Sequence, residues 1–291
     1  MSAFTVTLLT DPAAPALDPA LAEALRNAWG GGEIRWLAPD EAAEFDLPAL
    51  PDNRDSVWSD LQAQRVDMAI QPSEGRRKKM LLADMDSTMI EQECIDELAE
   101  VAGVGEHVRA ITARAMNGEL DFDGALRERV GLLKDLDAAV IDRVVAERIT
   151  YRSGGDALVR TMNATGYTAL VSGGFTAFTA RVAAHLGFNE NRANTLEIAD
   201  GKLTGVVTPP ILGREAKIVA LEEITARLGI AESDVMAVGD GANDLGMLHR
   251  AGAGVALHAK PAVAAQCDLR INFGDLSSLL FLQGYSAAEF R

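Results

Sequence analysis

What the chain is short of narrows it before any motif is read. Its 291 residues include two cysteines, Cys94 and Cys267, too few for a disulfide framework or a cysteine-rich zinc site. Four histidines (His107, His185, His249 and His258) are scattered without metal-ligand spacing. Basic charge is scarce: 27 Lys and Arg stand against 43 Asp and Glu, a formal net charge of −16. A chain so acidic is poorly suited to grip a nucleic-acid backbone, so no nucleic-acid partner is expected. The one dense basic run, Arg76 to Lys79, precedes an apolar run and reads as a solvated strand entry. No stretch approaches the ~18 uninterrupted apolar residues of a membrane span. The opening MSAFTVTLLTDP has no basic leader, so neither a signal peptide nor a membrane partner is expected. These absences lead us to expect a soluble, cytoplasmic protein. Hydrophobic residues at 48% and charged residues at 24% exclude a disordered chain or a coiled coil. At roughly 150 residues per domain, the length suggests about two domains.

Residues 1–75 read as a small α+β unit. TVTLLT (5–10) has strand character, LDPALAEALRNAW (17–29) has helical spacing ended by Gly30, and EIRWLA (33–38) is a second strand. A proline-bearing stretch (39–55) stays unassigned, followed by a helix, SVWSDLQAQ, and a strand, VDMAI (66–70). The composition of QPSEGRRKK (71–79) is that of a linker. Beyond it, MLLAD, TALVSG (168–173), DVMAVGD (234–240), AGVAL (253–257) and DLRIN (268–272) are short apolar runs with helical segments between most of them. That alternation predicts a Rossmann-like, mostly parallel sheet. About 75 residues between the first two strands have helical periodicity, too many for one crossover, and are expected to form a helical insertion. ANTLEIADGKLTGVV (193–207) carries a hairpin signal at Asp200-Gly201. The expected division is 1–75 small α+β domain, 76–90 and 153–291 catalytic core, and 91–152 helical cap.

Four strand ends or helix starts carry chemistry. In LLADMDSTMI, Asp84 and Asp86 sit two apart where a strand enters a loop, the place where open α/β sheets bind ligands. Two carboxylates there repel unless a cation or shared proton intervenes, and Mg²⁺, which takes carboxylates together with phosphate oxygens, is the natural choice. Ser172-Gly173-Gly174 ends another strand just before a helix, which suits an oxyanion; alone, such a turn is more often only a turn. Lys217 shares a helical stripe with Leu221, Ile224 and Leu228 near a helix N-terminus, where a cation opposes the macrodipole. Either an anion holds it there or it snorkels. Asp240, Asn243 and Asp244 follow a further strand and offer another metal ligand. Chance agreement of all four is remote. Arg129 falls inside the apolar stripe of Phe122, Leu126, Val130 and Leu133, where it either pairs with a nearby acid or grips a ligand carboxylate bidentately.

In order and spacing these motifs resemble the haloacid dehalogenase superfamily, and within it the branch acting on phosphoserine, over roughly residues 78–275. The cap stretches DSTMIEQECIDELA and ITARAMNGELDFDGALRERVGLLKDL and the hairpin's DGKLTG belong to the likeness. The resemblance implies Mg²⁺-dependent hydrolysis of O-phospho-L-serine, the last step of serine biosynthesis. It makes Asp84 the nucleophile that forms an aspartyl-phosphate and Asp86 the acid and base. Asp84, the Asp86 carbonyl and Asp240 would hold Mg²⁺, with Asn243 and Asp244 in support. Ser172, Gly173 and Lys217 would hold the phosphoryl oxygens, Arg129 the substrate carboxylate and Glu93 its ammonium. Met116 and Phe122 would line the closed pocket, although by spacing alone both read as plain core. The competing readings are another small phosphate ester as substrate, and a non-catalytic sensor. Residues 1–75 lie outside the likeness; an amino-acid effector there and a homodimer paired edge to edge are further expectations.

Overall fold

The computed structural model describes residues 3–116 and 119–291, without the side chain of Met116, so the pocket role expected of Met116 lies outside the described residues. The N-terminal part runs β1 (Phe4–Leu9), α1 (Pro19–Trp29), β2 (Arg35–Ala38), β3 (Ala42–Leu47), α2 (Arg54–Ala63) and β4 (Asp67–Pro72). The strands form an antiparallel sheet in the order β2-β3-β1-β4. Asp18 caps α1 by accepting from the Ala20 N–H, and Gly30 at φ +64° ends it. Alternation along β1 and β3 sends Val6, Leu8, Phe45 and Leu47 into one apolar cluster with Leu25 and Leu61. The unassigned stretch after β2 therefore holds an interior strand. Two alanines supply little of its apolar signal, and its outward Glu44 is neutralised by Arg35 and Arg76.

The second sheet begins with β5 (Met80–Ala83). Then come α3 (Cys94–Ala102), α4 (Gly105–Met116), α5 (Phe122–Gly131), α6 (Val140–Arg148) and α7 (Gly155–Asn163). The chain continues β6 (Tyr167–Phe175), α8 (Thr176–Leu186), β7 (Glu190–Ala199), β8 (Lys202–Thr208), α9 (Arg214–Leu228) and β9 (Val235–Gly239). It ends with α10 (Leu245–Arg250), β10 (Ala253–Leu257), α11 (Pro261–Ala264), β11 (Leu269–Ile271) and α12 (Ser278–Leu282). The order is β11-β10-β9-β5-β6-β7-β8, parallel except for the β7–β8 hairpin. Both faces are covered: Leu81 and Ala83 pack with Leu158, Phe178 and Leu279, whereas Met80 and Leu82 pack with Leu221 and Leu248. This two-sided burial explains why the strands read as unbroken apolar runs. Asp200 (φ +49°) and Gly201 (φ +77°) make the hairpin turn with both central residues at positive φ, the geometry that matches strand twist.

The helical insertion leaves and rejoins the sheet domain through Ile90 and Tyr151, which form an isolated antiparallel bridge. It is also stapled to the hairpin. Asp135 N–H donates to Leu203 O, Leu203 N–H to Leu136 O, and Ala138 N–H to Gly201 O. The segment read as a linker is anchored rather than loose. Gln71 and Arg76 donate to the Leu282 carbonyl, and Arg76 makes a buried ion pair with Glu44 at 2.6 Å. Within the basic run only Arg77 and Lys79 are more than half exposed, whereas Lys78 is partly buried and donates its N–H to Gln283 Oε1. Both cysteines are buried. Among the described residues, no helix is long and apolar enough to cross a membrane.

Candidate active site

The carboxyl ends of β5, β6 and β9 and the start of α9 meet at one point. Asp84 follows β5 and still pairs through its N–H with Val238 O of β9. Its carboxylate is buried, with Lys217 Nζ 2.6 Å from Oδ1. Lys217, in the first turn of α9 and only 2% exposed, also pairs with Asp244. Anions therefore hold this lysine, and the snorkelling alternative fails. The other oxygen of Asp244 accepts from the N–H groups of Asp240 and Gly241, which fixes the turn after β9. Gly239 is obligatory there, because a Cβ would lie 2.4 Å from the Asp244 carboxyl carbon. Asn243 folds back over Gly241, where a Cβ would stand 2.3 Å from its Oδ1.

Ligand atoms of Asp84, Asp240 and Asp244 lie within 4.8 Å of one another. Three carboxylates face one ammonium there, an uncompensated negative charge. Burial, then the Asp244 charge, raises Asp84 well above the usual carboxylate range against the opposing pull of Lys217. Burial and then Asp244 and Glu93 push Asp240 up to about 6. Burial lowers Lys217, but its two carboxylate partners outweigh that and hold it above its ordinary value. An all-oxygen donor set with excess negative charge fits a hard divalent cation such as Mg²⁺.

Asp86 is turned away from this cluster. Its Oδ1 accepts from Cys94 N–H at 3.3 Å, and its Oδ2 stands over Gly174, 2.7 Å from where a Cβ would be. Burial and then the Glu93 charge push Asp86 up to about 7. Ser172 Oγ, buried, accepts from Gly174 N–H at 2.8 Å, so the Ser172-Gly173-Gly174 turn lies directly beneath Asp86. The ring of Phe122, brought by the first turn of α5, rests on Gly173 and Gly213; it is 37% exposed and so is not plain core. Glu93 precedes α3, is exposed, and accepts from Ser87 Oγ at 2.8 Å. Arg129 is half-buried on α5 and donates to Ala125 O; among the described residues no carboxylate lies within 4.0 Å of it. Burial lowers its pKa, opposed by the more distant charges of Asp96 and Glu93.

The structure adds residues that the sequence reading missed. Thr88 Oγ1 donates to Asp240 Oδ1 at 3.2 Å, joining the first and last motifs. Asn194, 1% exposed, donates to Gly173 O and Leu212 O and accepts from Leu212 N–H, locking the Ser172 turn to the loop before α9. Asn194 is one of two asparagines in β7, with Asn191, and nothing in the sequence sets it apart.

Residues 81–249 match the haloacid dehalogenase-like hydrolase family. The chain belongs to that family. More particularly, it is similar to phosphoserine phosphatases. It is 40% identical over 256 residues to the phosphoserine phosphatase of Streptomyces coelicolor, covering 86% of this chain and 62% of that one. It is 45% identical over 204 residues to that of Haemophilus influenzae, covering 70% and 65%. The chain thus spans a little under two thirds of the length of these two relatives. Among solved structures, a haloacid dehalogenase family hydrolase from Salmonella enterica superposes with a TM-score of 0.86 at 33% identity, over 97% of this chain and 98% of its own.

Proposed function

We propose that the chain hydrolyses O-phospho-L-serine to L-serine and phosphate with Mg²⁺, through an aspartyl-phosphate on Asp84. The observation that carries this reading is the alignment of buried Asp84, held by Lys217, with Asp86 poised over the Ser172–Gly174 turn. The names of the two relatives support the choice of substrate.

In the first step the Asp84 carboxylate attacks phosphorus in line as the ester oxygen leaves, taking a proton from Asp86. A carboxyl pushed up to about 7 carries that proton near neutrality. In the second step Asp86 takes a proton from water as the water attacks the phosphoryl group, which frees Asp84 and inorganic phosphate. Lys217 and the Ser172–Gly174 turn orient and neutralise the phosphoryl oxygens in both steps. Asp84, the Asp86 carbonyl and Asp240 would hold Mg²⁺, with Asn243 and Asp244 in support; the ion would supply positive charge beside the phosphoryl oxygens. Glu93 takes the substrate ammonium, Arg129 its carboxylate, and Phe122 closes the pocket. Chemistry belongs to 76–90 and 153–291, enclosure to 91–152, and an accessory amino-acid-binding and homodimerising role to 1–75. A cytoplasmic place in serine biosynthesis belongs to the same proposal.

The test is phosphate release with Mg²⁺ from O-phospho-L-serine, against phosphocholine and an aryl phosphate. Strong preference for phosphoserine is expected. Turnover of the aryl ester alone would move the reading to another small phosphate ester, and no turnover would overturn it.

A further inference from the structure

One hydrogen-bonded route runs from the N-terminal sheet to the loop after β5, and no step of the chemistry accounts for it. At the loop end, Arg152 donates from Nε to Thr88 O at 3.0 Å and from its second terminal nitrogen to Ser87 O at 2.8 Å. The chain turns tightly here, the N–H groups of Thr88, Met89 and Ile90 all bonding to Met85 O, which brings the two carbonyls to one guanidinium. Ser87 itself sits at φ +58°, a region uncommon for any residue but glycine, so its surroundings must hold it there. The side chains on this loop are the ones aimed at the site: Ser87 at Glu93 and Thr88 at Asp240.

The third nitrogen of Arg152 meets His258 Nδ1 at 2.9 Å. A guanidinium only donates, so Nδ1 is the acceptor, and Nε2–H donates to Gly274 O at 2.7 Å. His258 follows β10 at φ +46°, its ring held between these two partners. Gly274 is gripped from the other side as well. Its N–H, with those of Asn272 and Phe273, donates at 2.8–2.9 Å to the fully buried carboxylate of Asp67, which opens β4.

We propose that Arg152 and His258 are positioning residues that couple the seat of the N-terminal sheet, through Asp67 and the 272–274 turn, to the loop carrying Asp84, Asp86, Ser87 and Thr88. The N-terminal unit thereby sets the turnover rate without contributing an atom to the site. This rests on the hydrolase reading above, but the aryl ester tests it independently of the substrate assignment.

The experiment uses the full chain with phosphoserine and an aryl phosphate, following kcat, KM, thermal melting, and amide hydrogen exchange across residues 85–90. H258L on this exposed ring and R152M are expected to lower kcat five- to fiftyfold on whichever ester is turned over. KM for the aryl ester should stay within about twofold, and exchange at 85–90 should quicken at least tenfold. H258Q, which keeps one acceptor and one donor, should stay within threefold of the parent in both readouts. D67N should lower kcat in the same direction, and D67N/H258L should be no slower than the slower single variant, the non-additivity expected of one route. Parent-like kcat and exchange in H258L and R152M would overturn the positioning role. Additive losses in the double variant would overturn the coupling to the N-terminal sheet. Activity on the aryl ester without phosphoserine would sink the substrate reading and leave these comparisons fully decisive.

Discussion

A methyl group at position 174 would sit 2.7 Å from Asp86 Oδ2 and 3.1 Å from Ser172 Oγ, so Gly174→Ala must move one of the two. A displacement near 1 Å at such a site costs about 10²-fold in kcat/KM. We expect that loss with little change in melting temperature; full activity would mean that Asp86 does not work from this position. Lys217→Met should cost both stability and activity, because it strands Asp84 and Asp244 as buried charges. The stability loss should be about 3–5 kcal/mol by chemical denaturation without Mg²⁺. Arg129→Ala should raise KM for phosphoserine about 10- to 100-fold while sparing the aryl phosphate, and equal effects on both esters would remove the carboxylate clamp. At this scale the sequence is legible wherever a charged residue ends an apolar strand, as Asp84 and Asp240 do. Arg152 and His258 are invisible because their meaning is a contact across 106 positions. Asn194 hides for the same reason, being one polar residue whose partners lie on two other segments.

Among the elements, the strands of the second sheet were readable because burial on both faces makes them unbroken apolar runs. The hairpin was readable because Asp200-Gly201 suits two positive φ values. β3 was not. Its Ala42 and Ala43 carry little hydrophobic weight, and Glu44 and Asp46 look like solvent-facing charges until their arginine partners are seen. The last element offers a pH test. Glu289 accepts from the Ser286 N–H and pairs with Arg77, which holds its carboxyl down to about 2. A depressed carboxyl stabilises the fold above its unfolded value, near ~4.3, and loses that contribution as pH falls towards the folded value. The group is largely exposed, so screening keeps the effect below about 1 kcal/mol. Glu289→Gln should therefore lower the melting temperature by about 1–2 °C at pH 7, with the gap starting to close below about pH 5 and nearly gone at about pH 2. A gap undiminished at pH 2 would rule this account out.

For the whole molecule, a net charge of −16 together with three clustered carboxylates should make the fold itself sensitive to divalent cations. Mg²⁺ at about 100 times its dissociation constant should add about 2.7 kcal/mol of stability, read as a rise in melting temperature that Asp240→Asn abolishes. No rise would remove the cation from this site. On the enclosure role proposed for residues 91–152, exchanging that segment is the route to a new substrate preference. The helical insertion enters at the Ile90–Tyr151 bridge, which looks like a clean place to cut and transplant. Three of its backbone partners, however, lie far downstream in the β7–β8 hairpin, at Gly201 and Leu203. A graft of residues 91–152 alone would leave those peptide groups without their mates, so a working chimera has to carry the hairpin along and be spliced at two separated stretches of the gene.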